Sequence, residues 1–162
     1  MGEKINVVVG FDQKEAIAFH QSGLFDKAQE IYLKLLEFDD KNSDVLHLLG
    51  VIAHQRGNYE VAIKLISMAL EIRPQESLYY LSCGNSYREI NLFENAISNY
   101  ENAIKLLNDA LVINPSFVET LNNLAGAYFE LNKYNKAIET YNKSILITTQ
   151  SWKIYFNLGK AY

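Results

Sequence analysis

The stretch that decides the fold is residues 46–74, which reads LHLLGVIAHQRGNYEVAIKLISMALEIRP. Its apolar residues recur every three or four positions before Gly57 and again after it, and this spacing predicts two amphipathic helices. Gly57 and Asn58 interrupt the pattern and favour a tight turn between the helices. Pro74 closes the stretch, because a helix does not readily continue through a proline. The stretch therefore predicts a unit of two antiparallel helices.

This unit recurs along the chain at a fixed spacing. The residues 20–23, His-Gln-Ser-Gly, return 34 positions later at 54–57 as His-Gln-Arg-Gly. Ala28, Ala62 and Ala96 are also spaced by 34 residues. The next alanine of the series, Ala137, follows Ala96 by 41 residues, which indicates one insertion of seven residues. Self-similarity at such a period is typical of helical solenoids, in which each unit buries its apolar face only against its neighbours.

Counting from these repeats predicts four units and half of a fifth. The predicted divisions are an N-terminal extension (1–8), a first unit with an irregular opening helix (9–42), a second unit (43–76), a third unit with the insertion (77–117), a fourth unit (118–151) and the first helix of an incomplete fifth unit (152–162). Seven residues are about two helical turns. We therefore expect the second helix of the third unit to run from Phe93 to Ile113, with Leu106 and Leu107 packed under an adjacent loop.

Composition narrows the possible functions. The 162 residues carry a net charge of −4 with 15 Lys plus Arg, which argues against nucleic acid or an anionic membrane as the main partner, because both attract clustered cations. Apolar runs are too short for a membrane span or for a signal peptide, so we expect a cytoplasmic protein. Cys83 is the only cysteine, which excludes an intramolecular disulfide and a cysteine-based zinc cluster.

The chain resembles the tetratricopeptide repeat (TPR) family, whose unit of about 34 residues has small and aromatic residues at fixed positions. The third unit carries Tyr80, Gly84, Tyr87, Ala96 and Tyr100 at these positions. The resemblance implies an all-α fold, a right-handed superhelical solenoid of antiparallel helix pairs. It also implies that the small residues let two helices approach closely, while the tyrosines fill the space between helices.

The family resemblance implies a concave face lined by the first helix of each unit, and a protein or peptide partner bound there. The polar and aromatic residues that map to this partner-binding face are Gln13, His20, Gln21, His47, His54, Gln55, Asn85, Arg88, Glu89, Asn122, Phe129, Glu130, Lys153 and Lys160. All three histidines of the chain are in this set. They lack an evident third ligand and supporting shell for a metal ion, so we expect neither a metal nor another cofactor.

The sequence offers no catalytic constellation. It has no G-x-S-x-G motif and no glycine-rich loop that could cradle phosphate, and Cys83 occupies a packing position. We therefore expect a non-catalytic protein–protein interaction module that binds a partner peptide or helix in the concave groove.

Two alternatives stay open. The first two units resemble the arrays of bacterial O-linked N-acetylglucosamine transferase-like proteins, although only Asn85 keeps the place of the asparagine ladder in those arrays. The chain would then be the substrate-presenting or regulatory region of a larger enzyme. The second alternative is a self-assembling scaffold, which would associate through the half-unit at the C-terminus or through the extended helix around Leu106.

Overall fold

The structure, a computed structural model, describes residues 13–109, 115–147 and 152–161. Within these ranges it contains nine helices and no β-strand. The helices are α1 (Gln13–Gln21), α2 (Phe25–Phe38), α3 (Ser43–Gln55), α4 (Tyr59–Ile72), α5 (Ser77–Glu89), α6 (Phe93–Asp109), α7 (Pro115–Glu130), α8 (Tyr134–Ile147) and α9 (Trp152–Ala161). The expected all-α class is confirmed. The N-terminal extension, residues 1–8, lies outside the described residues.

The helices belong to two compact units, which divide between Pro74 and Gln75. The first unit contains α1–α4 and the second contains α5–α9. Inside each unit, consecutive helices contact each other, as in the pairs α3 with α4 and α5 with α6. Because only a short turn joins the helices of such a pair, the two run antiparallel.

Both units depend on close contact at a glycine in the first helix of a pair. A Cβ added to Gly50 on α3 would lie 2.6 Å from Cγ1 of Ile66 on α4. A Cβ added to Gly84 on α5 would lie 2.6 Å from Cε1 of the buried Tyr100 on α6. The close approach expected from the sequence is therefore present at both positions. At Gly159 on α9, an added Cβ would meet no atom of the described residues within 4 Å.

The turns inside the helix pairs each have a residue with a positive φ angle at the same position of the repeat. Gly23 and Gly57 occupy it with φ angles of +74° and +77°. Asn91 and Asn132 occupy it in the second unit with φ angles of 60° and 57°. Glycine adopts this left-handed conformation without steric cost, and asparagine is among the few other residues that tolerate it. The sequence analysis identified the glycines but not the asparagines.

Helix α6 is longer than its counterparts. It has 17 residues, whereas α2, α4 and α8 have 14 each. Its predicted end, Ile113, lies outside the described residues. Leu107 is 8% exposed and Leu106 is partly buried, while the adjacent loop under which they were expected to pack lies outside the described residues.

Helix α7 begins at Pro115, ahead of the predicted unit boundary at residue 118. Proline suits the first position of a helix because the amide hydrogen it lacks would have no acceptor within the helix. The boundaries of the repeat units themselves stay a prediction.

Candidate functional site

The residues predicted for the concave face lie on the first helix of each pair. They lie on α1 (Gln13, His20, Gln21), α3 (His47, His54, Gln55), α5 (Asn85, Arg88, Glu89), α7 (Asn122, Phe129, Glu130) and α9 (Lys153, Lys160). The Lys153 side chain is outside the described residues. The two compact units bring these residues together in different ways.

In the first unit, two predicted residues on adjacent first helices meet. Nε2 of His20 on α1 lies 2.9 Å from Oε1 of Gln55 on α3, within hydrogen-bond distance. The His20 ring also packs edge-on against Phe25, with ring centroids 5.7 Å apart. The His54 ring packs in the same manner against Tyr59 at 5.3 Å. Each of these two histidines thus packs against the aromatic residue that opens the following helix.

His47 was predicted to line an open groove, but its side chain is buried, with only 5% exposed. Burial lowers its pKa from 6.5 to about 4, while Asp44 opposes this shift and His20 adds to it. The imidazole is therefore neutral at pH 7 and closed off from a partner. A polar residue at a groove position says nothing about how tightly the neighbouring helices cover it, so sequence alone did not reveal this burial.

In the second unit, a chain of hydrogen bonds connects three helices. Nη1 of Arg88 on α5 donates to Oδ1 of Asn123 on α7 at 3.1 Å. Nδ2 of Asn123 donates to Oδ1 of Asn85 on α5 at 3.0 Å, and the hydroxyl of Tyr100 on α6 donates to the same oxygen at 2.8 Å. Nη2 of Arg88 also donates to Oε1 of Glu89 at 3.1 Å. We call Asn85, Arg88, Tyr100 and Asn123 the polar network.

This network fixes side chains that would otherwise move freely. Asn85 accepts two hydrogen bonds through Oδ1, and no described residue accepts one from its Nδ2 group. Desolvation by burial raises the pKa of Tyr100, so its hydroxyl keeps its proton and remains a donor to Asn85. The network thus holds Arg88 and Asn85 in place before any partner arrives, which lowers the entropy cost of binding.

Beside Arg88, the second unit has a small cavity of about 270 Å³. Arg88 from α5, Phe129 and Glu130 from α7, and Lys160 from α9 all line this cavity. The other lining residues are Gly126, Tyr141 and Asn157. The structure therefore brings together four of the predicted residues, from three successive first helices. We call this the α5–α9 cavity.

Some residues of this region were not among the predicted site residues. Tyr100 and Tyr141 come from second helices, where aromatic residues were interpreted only as packing wedges. Asn123 and Asn157 were not predicted either, although Asn123 bonds with Arg88 and Asn85 and Asn157 lines the cavity. Asn122 was predicted, but its Oδ1 atom is buried and has no hydrogen-bond partner among the described residues.

The aromatic contact seen at the histidines recurs in the second unit. The Phe129 ring on α7 packs edge-on against Tyr134, the first residue of α8, with centroids 5.5 Å apart. Phe129 stands where His54 stands in the second repeat, and Tyr134 stands where Tyr59 stands. A signal was therefore present in the sequence, since an aromatic residue follows the turn at each of these places.

No group of three or more His, Cys, Asp or Glu side chains in the described ranges is arranged to hold a metal ion. In the same ranges, no helix has the length and apolar character needed to cross a membrane.

Comparison with known families identifies the repeats. A family model described as tetratricopeptide repeat matches residues 14–77, and a second, described as TPR repeat, matches residues 125–162. Together the two matches cover more than half of the chain. The chain belongs to the tetratricopeptide repeat family. TPR repeats are protein-interaction modules and are typically non-catalytic, which agrees with the function class expected from the sequence.

Solved structures support the same family and fold. A crystal structure of MamA superposes with a TM-score of 0.80 at 26% identity and covers 91% of this chain and 82% of MamA. PilF from Pseudomonas aeruginosa superposes with a TM-score of 0.82 at 19% identity, covering 92% of this chain and 65% of PilF. The first TPR domain of Spaghetti (RPAP3), solved with an HSP90 peptide, gives 0.67 at 20% identity and covers 76% and 92%. No curated protein shows significant similarity to this TPR chain.

Proposed function

We propose that this TPR chain is a protein-interaction module that binds an extended segment of a partner protein at the first-helix face of its second unit. The observation that carries the proposal is the α5–α9 cavity, where Arg88, Phe129, Glu130 and Lys160 converge. A binding surface of this kind needs a few fixed polar groups for register and an apolar contact for affinity. The cavity provides both.

The polar network supports this proposal because it presents groups that suit a peptide backbone. The Asn85 amide is anchored through its oxygen, which leaves the Nδ2 group to donate to a partner carbonyl. Arg88 is anchored to Asn123 and Glu89 and still lines the cavity. Prepositioned donors of this kind bind a backbone without a large loss of side-chain freedom.

The chemistry of the cavity suggests what the partner segment carries. Phe129 and Tyr141 provide apolar walls for a side chain of moderate size, since the volume is about 270 Å³. The lining carries two positive charges, from Arg88 and Lys160, and one negative charge, from Glu130. Glu89 lies outside the lining and pairs with Arg88, but this partly exposed pair is weak and can exchange. We therefore expect a partner side chain that is apolar at its base, with an acidic group close to it in the partner sequence.

A fold relative offers a limited parallel. The first TPR domain of Spaghetti (RPAP3) was solved with an HSP90 peptide, so a domain of this architecture can hold a peptide. At 20% identity, this chain shares the fold with that domain. The proposal therefore rests on the residues of this chain and takes no ligand from the relative.

A peptide-display selection against the full chain tests this proposal. We expect the selected peptides to bind wild-type protein and to lose about tenfold or more in affinity with Arg88→Ala or Phe129→Ala, a size typical of anchors in small interfaces. Lys64→Ala, an exposed lysine on α4 of the first unit, is the matched control and should leave the affinity unchanged. Circular dichroism melting curves would identify any variant that weakens binding through unfolding.

One result would sink the proposal. If correctly folded Arg88→Ala and Phe129→Ala proteins bind every selected peptide as tightly as wild type does, the first-helix face of the second unit is not the partner site. The same panel should include His54→Ala, because His54 stands in the first unit at the place that Phe129 occupies in the second. A loss of affinity in His54→Ala alone would indicate that the partner site lies in the first unit.

Two narrower predictions from the sequence stay predictions. The similarity to bacterial O-linked N-acetylglucosamine transferase-like arrays rests on Gly50, His54, Gln55 and Gly57 of the first two units, and the comparisons reported above give no support for it. The self-assembling scaffold rests on the half-unit and on Leu106. Light scattering over a range of concentrations tests the self-assembling scaffold. A molar mass equal to that of one chain at every concentration would exclude self-assembly.

A further inference from the structure

A second concave region in the second unit lies away from the first-helix residues described above. It is a groove of about 710 Å³ between three helices. Its lining comes from α6 (Glu101, Ile104, Lys105), α7 (Phe117, Leu121, Leu124) and α8 (Thr140, Lys143, Leu146, Ile147). None of these residues was predicted as a binding residue from the sequence. We call it the α6–α8 groove.

The groove has an apolar floor and an apolar edge. Leu121 and Leu124 form part of the floor, and both are nearly covered by protein, at 4% and 6% exposure. Leu146 at the edge is 87% exposed, more than any other large apolar side chain of the described residues. An exposed leucine next to an apolar depression is a common feature of protein-interaction surfaces.

The length of the groove suits a helix of about two turns. Phe117 and Leu124 on α7 are seven positions apart, and so are Thr140 and Ile147 on α8. At 1.5 Å per residue, each wall is about 10 Å long. A third helix can pack between such walls and bury residues at i, i+3 or i+4, and i+7.

Charge at the rim indicates what kind of helix fits. Lys105 on α6 and Lys143 on α8 stand on different walls of the groove. Glu101 is the one acidic residue in the lining, and its carboxylate already accepts a hydrogen bond from the Tyr128 hydroxyl at 2.6 Å. Lys143 pairs with Glu139 at 2.8 Å, but both side chains are more than half exposed. Such a pair is weak and can exchange. Two lysines against one glutamate leave the lining with a net positive charge, which favours an anionic occupant.

We propose that the α6–α8 groove is a second docking site, which takes an amphipathic helical segment of a partner protein. The segment carries apolar residues at i, i+3 or i+4, and i+7, and acidic residues on both flanks of this apolar stripe. The apolar residues pack on Leu121, Leu124 and Leu146, and the acidic residues face Lys105 and Lys143. This site is independent of the α5–α9 cavity, and a partner could engage either one alone.

The probe for this test is a synthetic fluorescein-labelled helical peptide with leucine at i, i+3 and i+7 and glutamate on both flanks. A matched peptide keeps the leucines and has lysine in place of each glutamate. Fluorescence anisotropy with the full chain should give an affinity about tenfold or more higher for the glutamate peptide, because like charges across an interface repel.

Variants of the groove provide the second readout. We expect Leu146→Ser to lower the affinity for the glutamate peptide by about tenfold. The double variant K105E/K143E should bind the lysine peptide more tightly than the glutamate peptide. The controls are Leu33→Ser and Lys64→Glu, which change exposed residues of the first unit and should have no effect. Arg88→Ala should also have no effect, which separates this site from the proposed function.

Three results would overturn the proposal. Equal affinity for both peptides would remove the acidic helix as the occupant. Binding that Leu146→Ser and K105E/K143E leave unchanged would place the peptide elsewhere on the protein. A wild-type protein that dimerises in light scattering, becomes monomeric with Leu146→Ser and binds neither peptide would assign the groove to a second copy of this chain.

Discussion

The two compact units use the same repeat in different ways. In the first unit the predicted polar residues of the first helices differ among themselves, since His47 is buried whereas His20 bonds with the exposed Gln55. In the second unit the corresponding faces form the polar network and line the α5–α9 cavity. The packing positions are alike in both, with Gly50 and Gly84 in close contact with the following helix. The two units therefore share the packing of helices at the glycines, whereas the residues at the groove positions differ in burial and in hydrogen bonding.

The largest expected difference concerns the pH dependence of stability in the first unit. His47 has a pKa of about 4 in the folded protein and 6.5 as the ordinary value. The folded state therefore binds this proton more weakly than the unfolded state, so stability is full above pH 6.5 and falls as the pH drops toward 4. Over that window the loss is about 3 kcal/mol.

Urea unfolding at pH 7 and at pH 4 measures this loss. The variant His47→Gln removes the titrating group, so its free energy of unfolding should fall by about 3 kcal/mol less than that of wild type between the two pH values. The carboxylates of the chain titrate in both proteins, and their contribution cancels in the difference. Equal losses in the two proteins would mean that His47 is not buried as a neutral ring.

The next largest effect compares glycines within the second unit. Gly84→Ala places a Cβ 2.6 Å from the Tyr100 ring, and overpacking of this kind costs about 1–3 kcal/mol. Gly126→Ala is the matched substitution in α7, where the nearest atom is 3.8 Å away. The free energy of unfolding of Gly126→Ala should rise by up to about 1 kcal/mol, because alanine has a higher helix propensity than glycine. Thermal unfolding of both variants gives the comparison, and equal melting temperatures would contradict the close contact at Gly84.

The smallest expected effect compares the turns of the two units. Gly57→Ala puts a Cβ on a residue with φ of +77°, which should cost about 1 kcal/mol. Asn91→Gly changes the equivalent residue of the second unit, whose φ is 60°, and should change stability by only a few tenths of a kcal/mol. Melting temperatures again provide the measurement, and an unaffected Gly57→Ala protein would show that the turn can relax.

The sequence predicted what depends on local pattern. Helical spacing and the recurring Gly57 turn were enough for the all-α class and for the helix pairs, because period and turn chemistry act over a few residues. The sequence also identified Arg88, Phe129, Glu130 and Lys160 as one surface through the family resemblance. It did not reveal that these four residues line one cavity.

What the sequence could not predict depends on how helices pack. The burial of His47 follows from contacts between helices that are distant in sequence. The α6–α8 groove consists of residues that are interpreted as ordinary core or solvent positions when taken one at a time. Tyr100 joins the polar network only because Gly84 lets its ring lie against α5. Each of these features needs coordinates of neighbouring helices.

The most direct test of the proposed function maps a bound peptide on the chain. Amide chemical-shift perturbation by NMR, with a peptide selected against the full chain, locates the contact without any substitution. We predict the largest shifts at Asn85, Arg88, Phe129, Glu130 and Lys160, around the α5–α9 cavity. Shifts that leave these residues unchanged and cluster only in the first unit would contradict the account.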